Sequence, residues 1–237
     1  MKLSAPIYRL KRQARILSRT EGIPLHMALD RIAAKEGFPR WSLLVSGLSA
    51  TAPAKILLEQ FSPGDLILLG ARPGHGKTQL SLELTVEAMK SGRQGAFFTL
   101  EYSVTDILDL FQRIGEDPIA FRDVFKFDAS DEINAEYIMA RLSTMSEGTV
   151  VVIDYLQLLD QKRRNPELIT QVSTLKSFAN ERNLVMVFIS QIDRSFDSAA
   201  GICPGLSDVR LPNPLDLRLF NKACFLHNGK LRFAATS

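Results

Sequence analysis

The feature that most constrains this chain is a glycine-rich segment placed between two apolar patterns. Residues 71–78 read Ala-Arg-Pro-Gly-His-Gly-Lys-Thr, which fits the phosphate-binding loop pattern A/G-x-x-x-x-G-K-S/T with alanine in the first position. Residues 66–69 are apolar and predict a buried strand, and residues 80–88 are amphipathic and predict a helix. Because backbone N–H groups and a helix N-terminus can cradle phosphates in this context, the segment predicts a nucleotide site.

The pattern also assigns roles within the loop. Lys77 is expected to reach the β- and γ-phosphates, and Thr78 to hold Mg²⁺, so ATP and Mg²⁺ are the expected cofactors. A glycine turn that binds nothing would not need the strand and helix that flank this one. The residues expected to contact the nucleotide are Ala71, Arg72, Pro73, Gly74, His75, Gly76, Lys77, Thr78 and Gln79.

Composition narrows the class of protein. The 237 residues, 46% of them hydrophobic, can form one large domain and a small appendage, and the net charge of +3 does not by itself indicate nucleic acid. Cys203 and Cys224 indicate a reducing cytoplasm and, with His227, do not form a paired zinc spacing. No apolar run approaches ~18 residues and the N-terminus lacks an apolar signal core, so we expect a cytoplasmic protein without a membrane span.

Residues 1–46 predict a small helical unit, followed by a linker at 47–54. The first helix is expected from about residue 5 to 20, with Ile7, Leu10, Ala14 and Leu17 on one face. A second helix is expected after Pro24, and its inward-facing residues are Leu25, Ala28, Leu29, Ile32 and Ala33. A short third helix is expected to carry Trp41, Leu43 and Leu44. Opposite the first apolar face stand Arg9, Arg12, Arg15 and Arg19. This stripe is either a solvated face or a contact for nucleic-acid phosphates.

Residues 55–237 predict an α/β domain. Strands are expected at 65–70, 95–100, 149–153 and 184–190, and helices at 77–90, 103–114, 133–146 and 166–182, the last capped by Asn165. Apolar strands that alternate with helices predict a mostly parallel sheet covered on both sides. Residues 222–226 and 231–235 predict a β-hairpin.

Polar side chains end three of the apolar strands. Asp154 could hold the Mg²⁺ that bridges phosphates. Glu101 is placed to act as general base on a water molecule, although a glutamate here could instead be favoured by a helix dipole. Gln191 could donate to the γ-phosphate. Since ligands bind at the carboxyl ends of strands in such sheets, these groups are expected to meet.

Five strings occur in an order that resembles the RecA-like motor domain of DnaB-type replicative helicases, superfamily 4. They are residues 71–78, Thr99-Leu-Glu101, Val152-Ile-Asp-Tyr-Leu-Gln-Leu158, Ser190-Gln-Ile-Asp-Arg194 and Leu206-Ser-Asp-Val-Arg210. The resemblance covers about residues 55–227. It implies a RecA-like P-loop NTPase fold, ATP hydrolysis, single-stranded DNA as a partner, and a homo-oligomer such as a hexameric ring.

The resemblance implies the same roles for Lys77, Thr78, Glu101, Asp154 and Gln191, and adds others. Arg113 resembles an arginine near the nucleotide. The implied DNA contacts are Lys162, Arg163, Arg164, Arg194 and Arg210, and the implied basic groups acting on a neighbouring subunit's nucleotide are Lys230 and Arg232. The chain departs from the family at Leu211-Pro-Asn213, where Glu-Ser-Gly is usual, and around the final basic pair. Its N-terminal unit does not resemble the primase-binding domain of replicative helicases.

Three functions stay open at this point. The first is an ATP-dependent DNA helicase or translocase, which requires basic groups near residues 162–164 and 194–213 to face a channel. The second is a RecA- or KaiC-like ATPase that regulates a partner without unwinding. The third is a nucleotide-gated nucleic-acid-binding module that uses the arginine helix, and its binding should depend steeply on salt.

Overall fold

The computed structural model describes most of the chain as two compact units, residues Met1–Ile56 and Leu57–Ser237. The described residues are 4–5, 7–41, 44, 53–160, 162, 165–193, 196, 203–211, 213–227, 230–234 and 236. Because residues 45–52 lie outside this set, the linker and the domain boundaries drawn from the sequence stay predictions.

The first unit contains a pair of helices, α1 (Ile7–Glu21) and α2 (Leu25–Lys35). Gly22 follows α1 with a φ of +64°, a conformation that ends the helix and suits glycine. The core of the pair consists of Leu10, Ala14, Ala28 and Ile32, with Leu17, Leu29 and Trp41 packed beside it. The prediction that Leu25 turns inward is wrong, because its side chain is exposed at the start of α2. The Ile7 side chain and Leu43 lie outside the described residues.

The second unit alternates strands and helices. Helix α3 (Pro53–Glu59) precedes its first strand. In chain order the strands are β1 (Leu66–Ala71), β2 (Gly95–Thr99), β3 (Phe125–Asp128), β4 (Val150–Asp154), β5 (Val185–Gln191), β6 (Lys222–His227) and β7 (Lys230–Ala234). The helices between them are α4 (Lys77–Lys90), α5 (Val104–Ile114), α6 (Ala135–Leu142) and α7 (Leu168–Arg182). Short 3₁₀ helices occur at Pro118–Phe121, Leu156–Asp160, Leu206–Asp208 and Leu217–Leu219.

The strands form one seven-stranded sheet in the order β3-β2-β4-β5-β1-β6-β7. All neighbours are parallel except β6 and β7, which pair as an antiparallel hairpin. Every residue of β1, β2 and β4 is buried, which explains why these strands are continuous apolar runs. The mostly parallel sheet and its four predicted strands are therefore confirmed.

Some local predictions are wrong. The strands predicted from the sequence do not include β3, because Lys126 separates the two phenylalanines of this four-residue strand and no apolar run marks it. Helix α6 is shorter than residues 133–146, since Asn134 caps it by accepting a hydrogen bond from the Tyr137 N–H. Asn165 does not cap α7, because its side-chain amide donates to the Leu159 carbonyl and α7 begins after Glu167.

The parallel order brings the carboxyl ends of four strands to one edge of the sheet. Asp154 is the register partner of Thr99 on one side and of Ile189 on the other. Ala71, the last residue of β1, is the partner of Gln191. β1 therefore delivers the glycine-rich loop to the same edge at which β2, β4 and β5 end.

Candidate nucleotide site and the adjoining loop

The glycine-rich loop, residues 72–76, connects β1 to α4. Gly74 and Gly76 have φ values of +79° and +84°, a left-handed conformation that other residues adopt at a cost. A Cβ at either position would meet no atom within 4 Å, so the backbone conformation rather than crowding calls for glycine there. Gly76 stands directly before α4, and the free N–H groups of the helix's first turn lie at the loop.

Thr78 and Asp154 join the loop to the neighbouring strand. The Thr78 hydroxyl donates to Asp154 Oδ2 at 2.9 Å, although the two residues are 76 positions apart. Asp154 is completely buried, and its other oxygen, Oδ1, has no hydrogen-bond partner among the described residues. A buried carboxylate oxygen without a donor is costly unless a ligand satisfies it.

The electrostatics of Asp154 show which charges converge here. Burial raises the pKa of Asp154 to about 6, while the Thr78 hydrogen bond and the charge of Lys77 lower it. The negative charge of Glu101 raises the Asp154 pKa further. Lys77 is itself mostly buried in the first turn of α4. The structure thus brings together Lys77, Thr78, Asp154 and Glu101, in agreement with the strand-end pattern.

The donor atoms suit a magnesium ion that arrives with a nucleotide. A hydroxyl and a carboxylate oxygen are the hard ligands that Mg²⁺ prefers, and Mg²⁺ usually takes its remaining ligands from phosphates and water. Within the described part of the chain, no group of three or more His, Cys, Asp or Glu side chains is arranged to hold a metal ion. The protein therefore offers Thr78 and Asp154, including its unpartnered Oδ1, rather than a complete metal cage.

Glu101 lies two residues beyond β2. Its backbone N–H donates to the buried Thr99 hydroxyl at 3.0 Å, which fixes the turn that carries it. The Glu101 side chain is exposed. It therefore stands at the site's edge with access to water, as a general base requires.

Gln191 connects the site to a second segment. Its carbonyl accepts from the Arg210 N–H at 2.8 Å, and the Asp193 N–H donates to the Asp208 carbonyl at 2.8 Å. Ile192 and Val209 form an antiparallel bridge between these contacts. Residues 208–210, hereafter the Arg210 segment, therefore extend the sheet beyond the end of β5.

Gln157 is a site residue to which the sequence assigned no role. Its side-chain Nε2 donates to the Arg210 carbonyl at 2.6 Å, across 53 positions of chain. Its Oε1 is buried without a hydrogen-bond partner among the described residues. Tyr155, Gln157, Gln191 and Arg210 line a cleft of about 210 Å³. The available signal was its place in the Ile-Asp-Tyr-Leu-Gln-Leu string, three residues after Asp154.

A second unpredicted contact holds the loop against β6. The rings of His75 and His227 stack with centroids 5.6 Å apart and planes 18° apart. Phe196 meets His227 edge-on at 5.9 Å. Burial, followed by the charges of His227 and Arg72, lowers the pKa of His75. The end of β6 therefore packs against the phosphate loop.

Arg113 lies at the opposite end of α5 from Glu101, and its contact with the nucleotide stays a prediction. Arg113 is exposed in the last turn of α5, and Glu116 just beyond it pairs with Lys90 Nζ at 2.8 Å. Lys90 is the last residue of α4, a helix of 14 residues that spans ~21 Å from the loop. Of the remaining loop residues, Gln79 is exposed and its amide donates to Glu83 at 2.8 Å.

The predicted DNA contacts divide into three groups. Arg210 is exposed beside Gln191. Lys162 Nζ lies 2.7 Å from Glu132 Oε1 and 3.6 Å from Asp131 Oδ2, so carboxylates already compensate its charge. Arg163, Arg164 and Arg194 lie outside the described residues.

The final basic pair lies on the edge strand β7. Arg232 is exposed, and its Nη1 lies 3.5 Å from the Cys203 carbonyl, a long contact. The Lys230 side chain lies outside the described residues. The contact of either residue with a neighbouring subunit stays a prediction.

The parallel sheet, the glycine-rich loop before α4 and the carboxylate at the end of β4 define a P-loop α/β protein with a RecA-like fold. The model of the family described as "DnaB-like helicase C terminal domain" matches residues 55–116 and 109–213. The chain belongs to this family, which confirms the resemblance drawn from its motifs.

Individual relatives agree with this assignment. The chain is 28% identical over 210 residues to the replicative DNA helicase DnaB of Mycoplasma genitalium, which covers 72% of this chain and 44% of that protein. The DnaB of Mycoplasma pneumoniae is 30% identical over 212 residues, with the same coverage. The DnaB of Helicobacter pylori is 26% identical over 182 residues, 63% of this chain and 37% of that protein. The chain thus spans less than half the length of these helicases.

Solved structures support the fold. An ATPase domain of known structure superposes with a TM-score of 0.55 at 20% identity, over 78% of this chain and 81% of that one. The KaiC-like protein PH0186 from Pyrococcus horikoshii OT3 superposes with a TM-score of 0.52 at 16% identity, over 72% of this chain and 76% of that one. Among the described helices, none is both long and apolar enough to cross a membrane.

Proposed function

We propose that the protein is an ATP-dependent DNA helicase or translocase of the DnaB-like type that hydrolyses ATP with Mg²⁺ and binds single-stranded DNA. The observation that carries this proposal is the convergence of Lys77, Thr78, Asp154 and Glu101 at one edge of the sheet. Asp154 Oδ1, buried without a partner among the described residues, is the atom that a nucleotide-bound metal would satisfy.

Each residue has a separate task in ATP binding. Lys77 places a positive charge on the β- and γ-phosphates, and residues 72–76 donate backbone N–H groups to them. Mg²⁺ held by Thr78 and Asp154 would neutralise charge that develops on the phosphate oxygens. The buried position of Lys77 and Asp154 strengthens these interactions, because less water screens them.

Turnover and its coupling to DNA involve the exposed groups. Glu101 orients the attacking water and accepts its proton. Gln191 contacts the γ-phosphate and transmits its loss to Arg210 through their backbone hydrogen bond. Arg210 contacts the DNA backbone, as do Arg163, Arg164 and Arg194. Lys162 contributes less, since two carboxylates compete for its ammonium group.

The proposed assembly is a homo-oligomer such as a hexameric ring, with each nucleotide between two subunits. Lys230 or Arg232 would complete the neighbour's site, a role that can be worth ~10³-fold or more in rate. Arg232→Ala should then lower turnover without much change in ATP affinity, and the wild-type rate should rise more steeply than linearly with protein concentration. A monomer with full, concentration-independent activity would exclude the shared site.

The decisive experiment is the ATPase rate with and without single-stranded DNA, measured together with the mass of the particle in solution. Lys77→Ala should abolish ATP binding, and Glu101→Gln should retain binding and lose turnover. A Glu101→Gln variant that hydrolyses ATP at the wild-type rate would show that Glu101 is not the base.

A regulatory ATPase without unwinding activity is the second candidate. It is favoured by the pairing of Lys162 with Glu132 and Asp131, which weakens one predicted DNA contact. Under this alternative single-stranded DNA would leave the ATPase rate unchanged, and a labelled duplex with a single-stranded tail would not be unwound.

A further inference from the structure

The outer face of α1 is strongly basic. Arg12, Arg15 and Arg19 are all exposed, and their spacing of three and four residues places them on one side of the helix. With a rise of 1.5 Å per residue, they follow one another at ~4.5 and ~6 Å along the helix axis. Three guanidinium groups thus form a row about 10 Å long, hereafter the arginine row.

No described carboxylate compensates this row. The only acidic residue of α1 is Glu21, and it pairs with Arg31 of α2. In the part of the chain that the structure describes, no ion pair involves Arg12, Arg15 or Arg19. An ordinary solvated face mixes charges of both signs, whereas this row carries positive charge alone. The row is therefore available for an anionic partner.

The apolar face of α1 is already covered. Leu10 and Ala14 are buried with Ala28 and Ile32 of α2, and the large apolar side chain that α1 leaves exposed among the described residues is Ile16. A basic helix that lies on a membrane needs a free apolar face to insert among the acyl chains. The described apolar face of α1 is therefore occupied, and the exposed side of this helix presents chiefly positive charge to a partner.

We propose that the arginine row binds the phosphate backbone of nucleic acid. Guanidinium groups bind phosphates through paired hydrogen bonds, and they keep their charge at any physiological pH. A row of phosphate contacts carries no base recognition, so this binding is independent of sequence. The surface belongs to the first unit, uses none of the residues proposed to contact DNA in the second, and does not depend on ATP.

The test uses the whole protein and fluorescent oligonucleotides, without nucleotide. One variant combines Arg12→Gln, Arg15→Gln and Arg19→Gln, which keeps helix propensity because arginine and glutamine are similar helix formers. The matched control combines Lys35→Gln, Arg40→Gln and Lys55→Gln, which removes the same charge from other exposed positions. Far-UV circular dichroism and ATPase activity without DNA verify that both variants fold. Anisotropy is measured against salt for single strands and duplexes of two sequences.

Each phosphate contact contributes about 0.7 to the salt slope for single strands and about 0.9 for duplexes. Between about 50 and 200 mM salt, wild type should therefore lose affinity for single strands roughly 20-fold more than the arginine variant. The control should keep the wild-type slope, and replacing the three arginines by lysine should also keep it. Comparison of the two oligonucleotide forms identifies which backbone the row prefers.

Two results would overturn the proposal. One is an arginine variant whose salt slope equals that of wild type or of the control. The other is wild-type binding to vesicles of phosphatidylcholine and phosphatidylserine without binding to either oligonucleotide. If single-stranded DNA fails to stimulate the ATPase while the salt slope still depends on the row, the proposed helicase function fails and this inference stands.

Discussion

The buried negative charge of Asp154 should lower the free energy of unfolding of the metal-free protein. Burial raises its pKa from the ordinary value of 3.8 to about 6. The folded protein therefore holds the carboxylate proton more tightly than the unfolded chain does. As the pH rises through this window, the free energy of unfolding falls, because the native state must give up a proton that it favours.

The size of the effect follows from the two pKa values. Their difference corresponds to ~3 kcal/mol above pH 6, and to about half of that near pH 5. An asparagine at this position would resemble the protonated carboxyl, since its side-chain oxygen can still accept from the Thr78 hydroxyl. The attraction between Asp154 and Lys77 is already contained in the pKa. Asp154→Asn should therefore stabilise the metal-free protein by ~3 kcal/mol at pH 8, or roughly 6–12 °C in Tm.

The assay is thermal unfolding, followed by circular dichroism, with a chelator present and at about pH 8 and pH 5. The matched control is Asp128→Asn, a change at the buried end of β3. Asp128 accepts from Arg141 Nε at 2.8 Å and from the Tyr137 hydroxyl at 3.1 Å, so its loss should cost about 1–2 kcal/mol. Adding ATP and Mg²⁺ should stabilise wild type more than the Asp154→Asn variant.

Two results would refute this reasoning. The Asp154→Asn variant could unfold at or below the wild-type temperature at pH 8. Alternatively, the stabilisation could be equal at both pH values, which would show that a buried charge is not its cause. Either result would remove the argument that the carboxylate is held ready for a metal ion.

Two further predictions concern packing in the second unit. Gln157→Leu should leave the ATPase rate without DNA within about 2-fold and reduce its stimulation by single-stranded DNA, because the Arg210 segment loses the side chain that holds it; equal stimulation in both proteins would contradict this. Gly95→Ala should cost about 1–3 kcal/mol in chemical denaturation, since a Cβ would lie 2.3 Å from the Thr85 methyl group. Gly205→Ala, whose Cβ would meet only one atom at 4.0 Å, should be nearly neutral and provides the control.

The helical unit shows where sequence patterns lose accuracy. The pattern predicts that Leu10 and Ala14 are buried, and they are, because four-residue spacing places both on one face of α1. Leu25 fits the apolar pattern of α2 equally well but is exposed at its first turn. Apolar periodicity identifies which face of a helix is buried. How many residues of that face are buried depends on how far the partner helix extends along it.

The position of the central site in the sheet could be derived from sequence. A strand, a glycine-rich turn and a helix are local structures, and each is encoded within a few residues of Lys77 and Thr78. Apolar runs that alternate with helices predict a parallel sheet, and a parallel sheet gathers its carboxyl ends at one edge. For that reason Glu101, Asp154 and Gln191 could be placed near the loop from the amino-acid sequence alone.

Only the tertiary structure decided the contacts between distant segments of the chain. The Gln157 side chain meets Arg210 across 53 positions, and the stack of His75 on His227 depends on β6 pairing beside β1. β3 alternates apolar and polar residues over only four positions, and its place in the sheet depends on pairing with β2, a strand distant in the chain. Local sequence largely determines which helices and strands form and which side chains stand at their ends. Which ends touch is set by the order of strands in the sheet, because neighbouring parallel strands bring their carboxyl ends side by side.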